Sequence, residues 1–389
     1  MHVPDIRRYL VRLRMTRRAT FRFLHGGAVN GLACHALDEH PLSPGVVPVV
    51  CESGFVTFAP GDPYRFGLTI VGGERLDLVE VERRLRELGA ASAGRSGPPL
   101  RLGGDFAVDA IEELPPSELS PVPGSPPHVV TLQFTSPLRM ERPQGAEERG
   151  KKYLDGACFP AAHFVQRVVA RLQFLARFAP PRLAGVLAGL GADGQGCHAE
   201  VEHLQWVDMP VSGRKRPHQP KGFTLGGVLG AVRLEGLDEA AWLALQLGSL
   251  VHVGEKTRYG FGRFVVRETA DLTGDPFQPS RSVLDIAADR GSLQAALVET
   301  AERTETAGVD GVQPEEALAE ADTVVEDIRG GLLTRSLEPQ ALLGLVAAKK
   351  SGEVRARAVP TARDRCAQRA VCRVLGPAIE TLLEDCSYA

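Results

Sequence analysis

Apolar residues alternate from Tyr9 to Met15, with Tyr9, Val11 and Leu13 on one face, which predicts a strand. The period then changes: in GGAVNGLACHALD, Val29, Leu32, Ala33, Ala36 and Leu37 fall on one side of a helix. The same change recurs downstream. YRFGLTIVG alternates Tyr64, Phe66, Leu68 and Ile70 as a strand, and LDLVEVERRLREL sets Leu78, Val81, Leu85 and Leu88 on a helical stripe. Two more strands are expected over 106–111 and 129–135, the second alternating Val130, Leu132 and Phe134. Strands with helices between them and an antiparallel finish predict a ferredoxin-like sandwich.

A looser copy of the pattern follows: a helix over 161–178, strands over 198–207 and 223–234, a helix over 239–253 and a strand over 259–267. The expected fold class is therefore α+β, with two ferredoxin-like domains in tandem at 1–145 and 146–268. The run TADLTGDPFQPSRS has linker composition, which assigns 269–306 to a linker and leaves 307–389 as a separate segment.

A length of 389 residues suits two or three domains, and 43% hydrophobic with 24% charged residues is the balance of folded chains. Arginines interrupt the N-terminus where a secretory signal needs an apolar run, and no uncharged apolar stretch reaches about 18 residues. A cytoplasmic protein without a membrane span is expected. Seven cysteines form no C-x-x-C pair, which argues against a disulfide framework and a structural zinc site and for a reducing compartment.

The net charge of -3 conceals a strong local pattern. Seven arginines and no acid lie between Ile6 and Arg22; of these, Arg12 and Arg14 are candidates for a phosphate track, although a strand turns alternate side chains to opposite faces. SGRKRPHQPK holds four more cations, Arg214, Lys215, Arg216 and Lys221. Eight bases against two acids span 349–373, whereas twelve acids against three bases fill 284–330. Local charge thus points to nucleic acid although the total does not.

The densest chemical signal is HVGEKTRYGFGRF, 252–264, where Gly254, Gly260 and Gly262 are interleaved with Lys256 and Arg258. Glycines allow backbone amides to approach a phosphate, and the cations add charge. A helix C-cap followed by a tight turn explains the glycines equally well. The spacing misses both the dinucleotide fingerprint and the Walker pattern, so no cofactor is expected.

Together with WVDMPVSGRKRPHQPKGFTLGGVLGAVRLEG and AAWLALQLGSLVHVG, this segment resembles the C-terminal half of the repeat-processing endoribonucleases of CRISPR systems, members of the repeat-associated RNA-binding (RAMP) superfamily. The resemblance covers roughly residues 1–268. It implies two ferredoxin-like domains of RRM-like topology, a glycine-rich loop lying against RNA, and a basic hairpin at 212–221 contacting the repeat. It also implies metal-independent cleavage by a 2'-hydroxyl, leaving a cyclic phosphate and a 5'-hydroxyl, with a proton-transfer residue in or beside the first helix. His35 and His25 are the candidates there, histidine having a pKa suited to either proton transfer.

From Gly308 onward, GVDGVQPEEALAEADTVVEDIRGGLL and ARDRCAQRAVCRVLGPAIE resemble the start of the fingers of group II intron-type reverse transcriptases. The sequence reaches Ala389 before any stretch resembling a palm with metal-binding carboxylates, so no polymerisation is expected of these residues. The combination resembles fusions of a CRISPR processing domain with a reverse transcriptase and a spacer integrase. The implied partners are CRISPR repeat RNA, a type III effector complex and the Cas adaptation integrase. A non-catalytic module that binds repeat RNA and delivers it to that machinery is the alternative reading.

Overall fold

The computed structural model describes residues 5–21, 25–39, 42–52, 57–72, 75–90, 105–115, 126–143, 152–154, 158–211, 223–267, 275–279, 281–348 and 354–380. The chain forms two compact units, one over 1–280 and one over Arg281–Leu383.

The first unit contains two four-stranded sheets. Strand β1 (Ile6–Met15) leads into α1 (Gly26–Leu37), then β2 (Val46–Val50), β3 (Pro63–Val71), α2 (Leu78–Ala90) and β4 (Phe106–Glu113). They assemble in the order β2-β3-β1-β4, every pair antiparallel. The order accords with the ferredoxin-like expectation, but Val46–Val50, which supplies β2, is not among the expected strands, its five residues being buried without alternation. One face buries Tyr9, Val11 and Leu13 with Phe66 and Leu68, and Gly26, Val29, Leu32, Ala33 and Ala36 of α1 and Val81 and Leu85 of α2 are buried. The opposite face carries Arg8, Leu10, Arg12 and Arg14, as strand alternation requires.

The second sheet repeats the order with β5 (Val129–Leu138), α3 (Ala161–Leu175), β6 (His198–Val211), β7 (Phe223–Glu235), α4 (Glu239–Val251) and β8 (Phe264–Val266), arranged β8-β5-β7-β6. Phe134, Phe164 and Phe264 meet edge-on or tilted at 5.6–6.1 Å between centroids, placing α3 over the sheet. Trp242, 4% exposed, belongs to this core.

Two expected boundaries need correction. A division at 145 places 129–135 in the first domain, but β5 hydrogen-bonds to β7 and β8 and begins the second sheet. Alternation alone gives a strand, not its partner, which explains the misplacement. The expected strand over 259–267 likewise shortens to 264–266, because Thr257–Tyr259 form a 3-10 turn.

A third correction concerns 269–306. Within this expected linker, α5 (Arg290–Arg303) buries Leu293, Ala296 and Leu297 in one core with Val325 and Ile328 of α6 (Ala321–Leu333) and with Ala362, Cys366 and Ala370 of α7 (Ala362–Glu380). Asp289 caps α5 by accepting from the Ser292 amide at 2.9 Å. The charge-balanced, weakly apolar sequence of α5 hides a narrow core stripe. The second unit is completed by an antiparallel hairpin, β9 (Leu343–Ala348) with β10 (Val354–Val359). Among the described residues no helix is long and apolar enough to cross a membrane, and no cluster of His, Cys, Asp or Glu could hold a metal ion.

Candidate functional site

Asp238 caps α4 through the Ala241 amide at 2.6 Å, and the helix ends at His252, whose φ of 57° turns the chain out of the helical path. The following loop is closed on itself. The Val253 amide donates to the Gly262 carbonyl at 3.0 Å, Gly262 donates to Pro137 at 2.9 Å, and Glu255 donates to Arg139 at 2.8 Å. Lys256 adopts φ 62°, and Gly254, Gly260 and Gly262 adopt φ of +89°, +75° and +73°. A Cβ on Gly262 would stand 1.7 Å from the Val253 oxygen, and one on Gly254 would stand 2.5 Å from that of Arg139. These glycines are therefore required by closure and packing.

That closure limits which backbone amides are free. The amides of Val253, Glu255, Tyr259, Gly260 and Gly262 are already bonded within the protein, which removes them from the cradle of free amides expected from the glycine pattern. Lys256 and Arg258 carry the outward charge: both are exposed and neither forms an ion pair with a described residue. Beneath them, Glu255 is held by Arg139 at 3.4 Å and by the Tyr153 hydroxyl at 3.3 Å, while the Arg139 guanidinium lies 3.7 Å above the Tyr153 ring. Sequence reasoning missed this clamp, because Arg139 and Tyr153 are separated along the chain from Glu255 and stand in no motif.

Helix α1 docks on the loop. Asn30 Nδ2 donates to the Arg258 carbonyl at 3.0 Å, and a Cβ on Gly26 would lie 1.7 Å from the Tyr259 oxygen, so only a glycine permits this approach. His25 immediately precedes that contact. It is 6% exposed and lies among aromatic rings, 5.1 Å from Phe21 and 5.6 Å from Tyr64 between centroids. His35 is exposed near the other end of the helix, and its Nε2 lies 3.2 Å from the Arg84 carbonyl of α2. At about 100° per residue His35 is rotated about 140° from Asn30, away from the loop side. Of the two histidines, His25 adjoins the loop.

Arg12 and Arg14 lie on the open face of the first sheet. Each is paired with an acid of β4, Arg12 with Glu112 at 3.0 Å and Arg14 with Asp109 at 2.9 Å. The expected phosphate track is thus largely neutralised by a neighbouring strand that is distant in sequence. Arg214, Lys215, Arg216 and Lys221 lie outside the described residues.

His252 is 1% exposed, and its Nδ1 has no hydrogen-bond partner among the described residues. Burial, followed by the nearby Arg263 and Arg171 guanidinium groups, holds its pKa well below the usual histidine value. The folded state thus binds fewer protons than the unfolded chain below about pH 6.5, so this contribution to stability is present above that pH and is lost on acidification. Thermal melts from pH 7.5 to 5.5 should show a smaller fall for His252→Asn than for wild type, asparagine being tolerant of positive φ. Parallel curves for the two proteins would contradict the assignment.

Residues 132–264 match the family model of the CRISPR-associated endoribonuclease Cas6, an interval that contains most of the second sheet, the clamp and the glycine-rich loop. No curated protein sequence matches the chain. A chain of a solved partial Cas6-RT-Cas1–Cas2 complex superposes with a TM-score of 0.66 at 18% identity, covering 99% of this chain and 66% of its own length. A chain of a Cas6-RT-Cas1–Cas2 complex gives 0.66 and 18%, with 99% of this chain and 41% of that one. At such identity the likeness establishes the fold, and it extends over both units. The chain spans less than two thirds of either.

Proposed function

We propose that this chain is an endoribonuclease that cuts CRISPR repeat RNA by attack of a ribose 2'-hydroxyl on the adjacent phosphate. The observation that carries the reading is the coincidence of the Cas6 match at 132–264 with a rigidly closed loop, whose exposed Lys256 and Arg258 stand beside the N-terminal half of α1. Such a reaction needs a base for the 2'-hydroxyl, an acid for the leaving 5'-oxygen and cations for the phosphorane, and it uses no metal. Lys256 and Arg258 supply charge at the loop. His25 is the proton-transfer group of this reading, with Asn30 fixing the helix to the loop.

Residues 281–383 fit the reading as the fingers portion of a reverse transcriptase, in which the exposed Arg355 and Arg357 of the β10 strand face a nucleic-acid backbone. The whole-chain likeness to chains of Cas6-RT-Cas1–Cas2 complexes supports a partnership with the spacer-integration proteins. One observation favours the alternative of an RNA-delivery module without cleavage: His25 is enclosed by rings and His35 is engaged at Arg84.

The loop assignment is tested by binding repeat RNA across a salt series. Lys256→Ala/Arg258→Ala should weaken binding and reduce the slope of log K against log salt by about 0.7 to 0.9 per charge removed. An unchanged slope would place the RNA elsewhere.

A further inference from the structure

The open face of the first sheet has a hollow at its centre. Gly67 of β3 is paired with Leu10 on one side and Val49 on the other, and its missing side chain leaves room for the ring of Phe277. A Cβ there would lie 2.3 Å from Phe277 Cε1. Phe277 is 5% exposed and clusters with Leu10, Val49 and Cys51. It belongs to a short strap, 275–279, in a stretch whose Gly, Pro and Asp content reads as linker.

The strap is held by arginines. The Asp275 carboxylate accepts from Arg263 Nη2, the Phe277 carbonyl accepts from Arg263 Nη1 at 3.4 Å, and Arg65 donates to the Gln278 carbonyl. Arg8 lies close enough for Asp275 and Arg263 both to act on it, and its Nε is buried without a hydrogen-bond partner among the described residues. Cations therefore outnumber acids around the strap: Arg8, Arg65 and Arg263 face Asp275 and Glu52. A flat ring seated in a sheet hollow, with a carboxylate among guanidinium groups beside it, has the chemistry of one nucleotide of a single strand, a base and its phosphate.

We infer that the strap occupies a subsite for single-stranded RNA on the open face of the first sheet, with Phe277 in the place of a base and Asp275 in the place of a phosphate. Strand and strap compete for Arg8, Arg65, Arg263 and the hollow at Gly67. The inference rests on the RNA-binding reading above but concerns the open face of the first sheet, to which the glycine-rich segment contributes Arg263 and neither Lys256 nor Arg258. Arg12 and Arg14, on the same face, would extend the path once the strand draws them from Glu112 and Asp109.

The test uses the full chain and a fluorescein-labelled uridine oligomer of about 10 nucleotides, a length within the usual single-strand site size. Asp275→Asn/Phe277→Ala should bind it at least about fivefold more tightly than wild type, the gain expected when one stacking position is freed. Adding Gly67→Val to that variant should abolish the gain by filling the hollow. A second readout needs no substitution: Cys51, 1% exposed within the same cluster, should become several-fold more reactive toward a maleimide when the oligomer is added, as followed by peptide mass mapping.

If the double variant binds no more tightly and Cys51 stays protected while wild type still binds repeat RNA, the strap is only a structural cover and the inference fails, leaving the endoribonuclease reading intact. If neither protein binds any RNA, both fail.

Discussion

Gly262→Ala should unseat the glycine-rich loop and abolish tight RNA binding. At φ +73° an alanine costs about 1–2 kcal/mol from backbone strain alone. Its Cβ would also sit 1.7 Å from the Val253 oxygen. Relief of that clash breaks the Val253–Gly262 bond at 3.0 Å or the Gly262–Pro137 bond at 2.9 Å, each worth about 1 kcal/mol. The total of about 3 kcal/mol corresponds to a fall in Tm of roughly 6–12 °C for a unit of this size. Gly185→Ala is the contrast. It lies within the short helix Pro181–Ala188, and a methyl group at that position would meet nothing within 4 Å, so alanine there should be neutral or slightly stabilising. Equal melting and equal RNA affinity for the two variants would show that the loop does not depend on its glycine.

The second large effect is expected at His25. Removing a group that transfers a proton in the rate-limiting step costs about 10²–10⁴-fold in rate, so His25→Ala should lower the cleavage rate constant by that amount while repeat-RNA affinity changes little. His35→Ala, whose ring meets the Arg84 carbonyl on the far side of α1, should change the rate less than about threefold, as an ordinary surface substitution does. Because His25 packs against Phe21 and Tyr64, the melting temperature of His25→Ala and the activity of His25→Gln separate a packing loss from a chemical one. A slow but fully folded His35→Ala beside an active His25→Ala would reverse the assignment.

The alternation of Tyr9, Val11 and Leu13 and the stripe of Val29, Leu32, Ala33 and Ala36 made the first strand and helix legible, because one-sided burial leaves its period in the sequence. Strand partnership was not legible. Val129–Leu138 has the same alternation whichever sheet it joins, and only its hydrogen bonds to β7 and β8 decide. Arg12 and Arg14 read as free cations because Glu112 and Asp109 stand about 100 residues away along the chain. Phe277 was hidden within linker composition, since one buried ring has no period.

The glycine-rich segment was the most informative stretch of sequence, yet its role changed. Composition suggested amides free to meet a phosphate; the structure uses those of Val253, Glu255, Tyr259, Gly260 and Gly262 to close the loop and exposes Lys256 and Arg258. The clamp of Arg139, Tyr153 and Glu255 could be found only in three dimensions, because an ion pair, a phenol hydrogen bond and a stacked guanidinium depend on the fold for their proximity. The likeness of 308–333 and 362–380 to reverse-transcriptase fingers rests on the order of residues and belongs to the proposal. Helix α5 fell inside the expected linker, because Leu293, Ala296 and Leu297 form too short a stripe to stand out from their surroundings.

The most direct measurement incubates the purified chain, in excess chelator, with labelled repeat RNA from its own locus and with copies carrying a single 2'-deoxy substitution. The expected result is one cleavage site that persists in chelator, yields a cyclic phosphate and a 5'-hydroxyl, and disappears when 2'-deoxy replaces the ribose immediately 5' to the scissile phosphate. Binding of the RNA without cleavage, or cleavage indifferent to that substitution, would contradict the endoribonuclease reading.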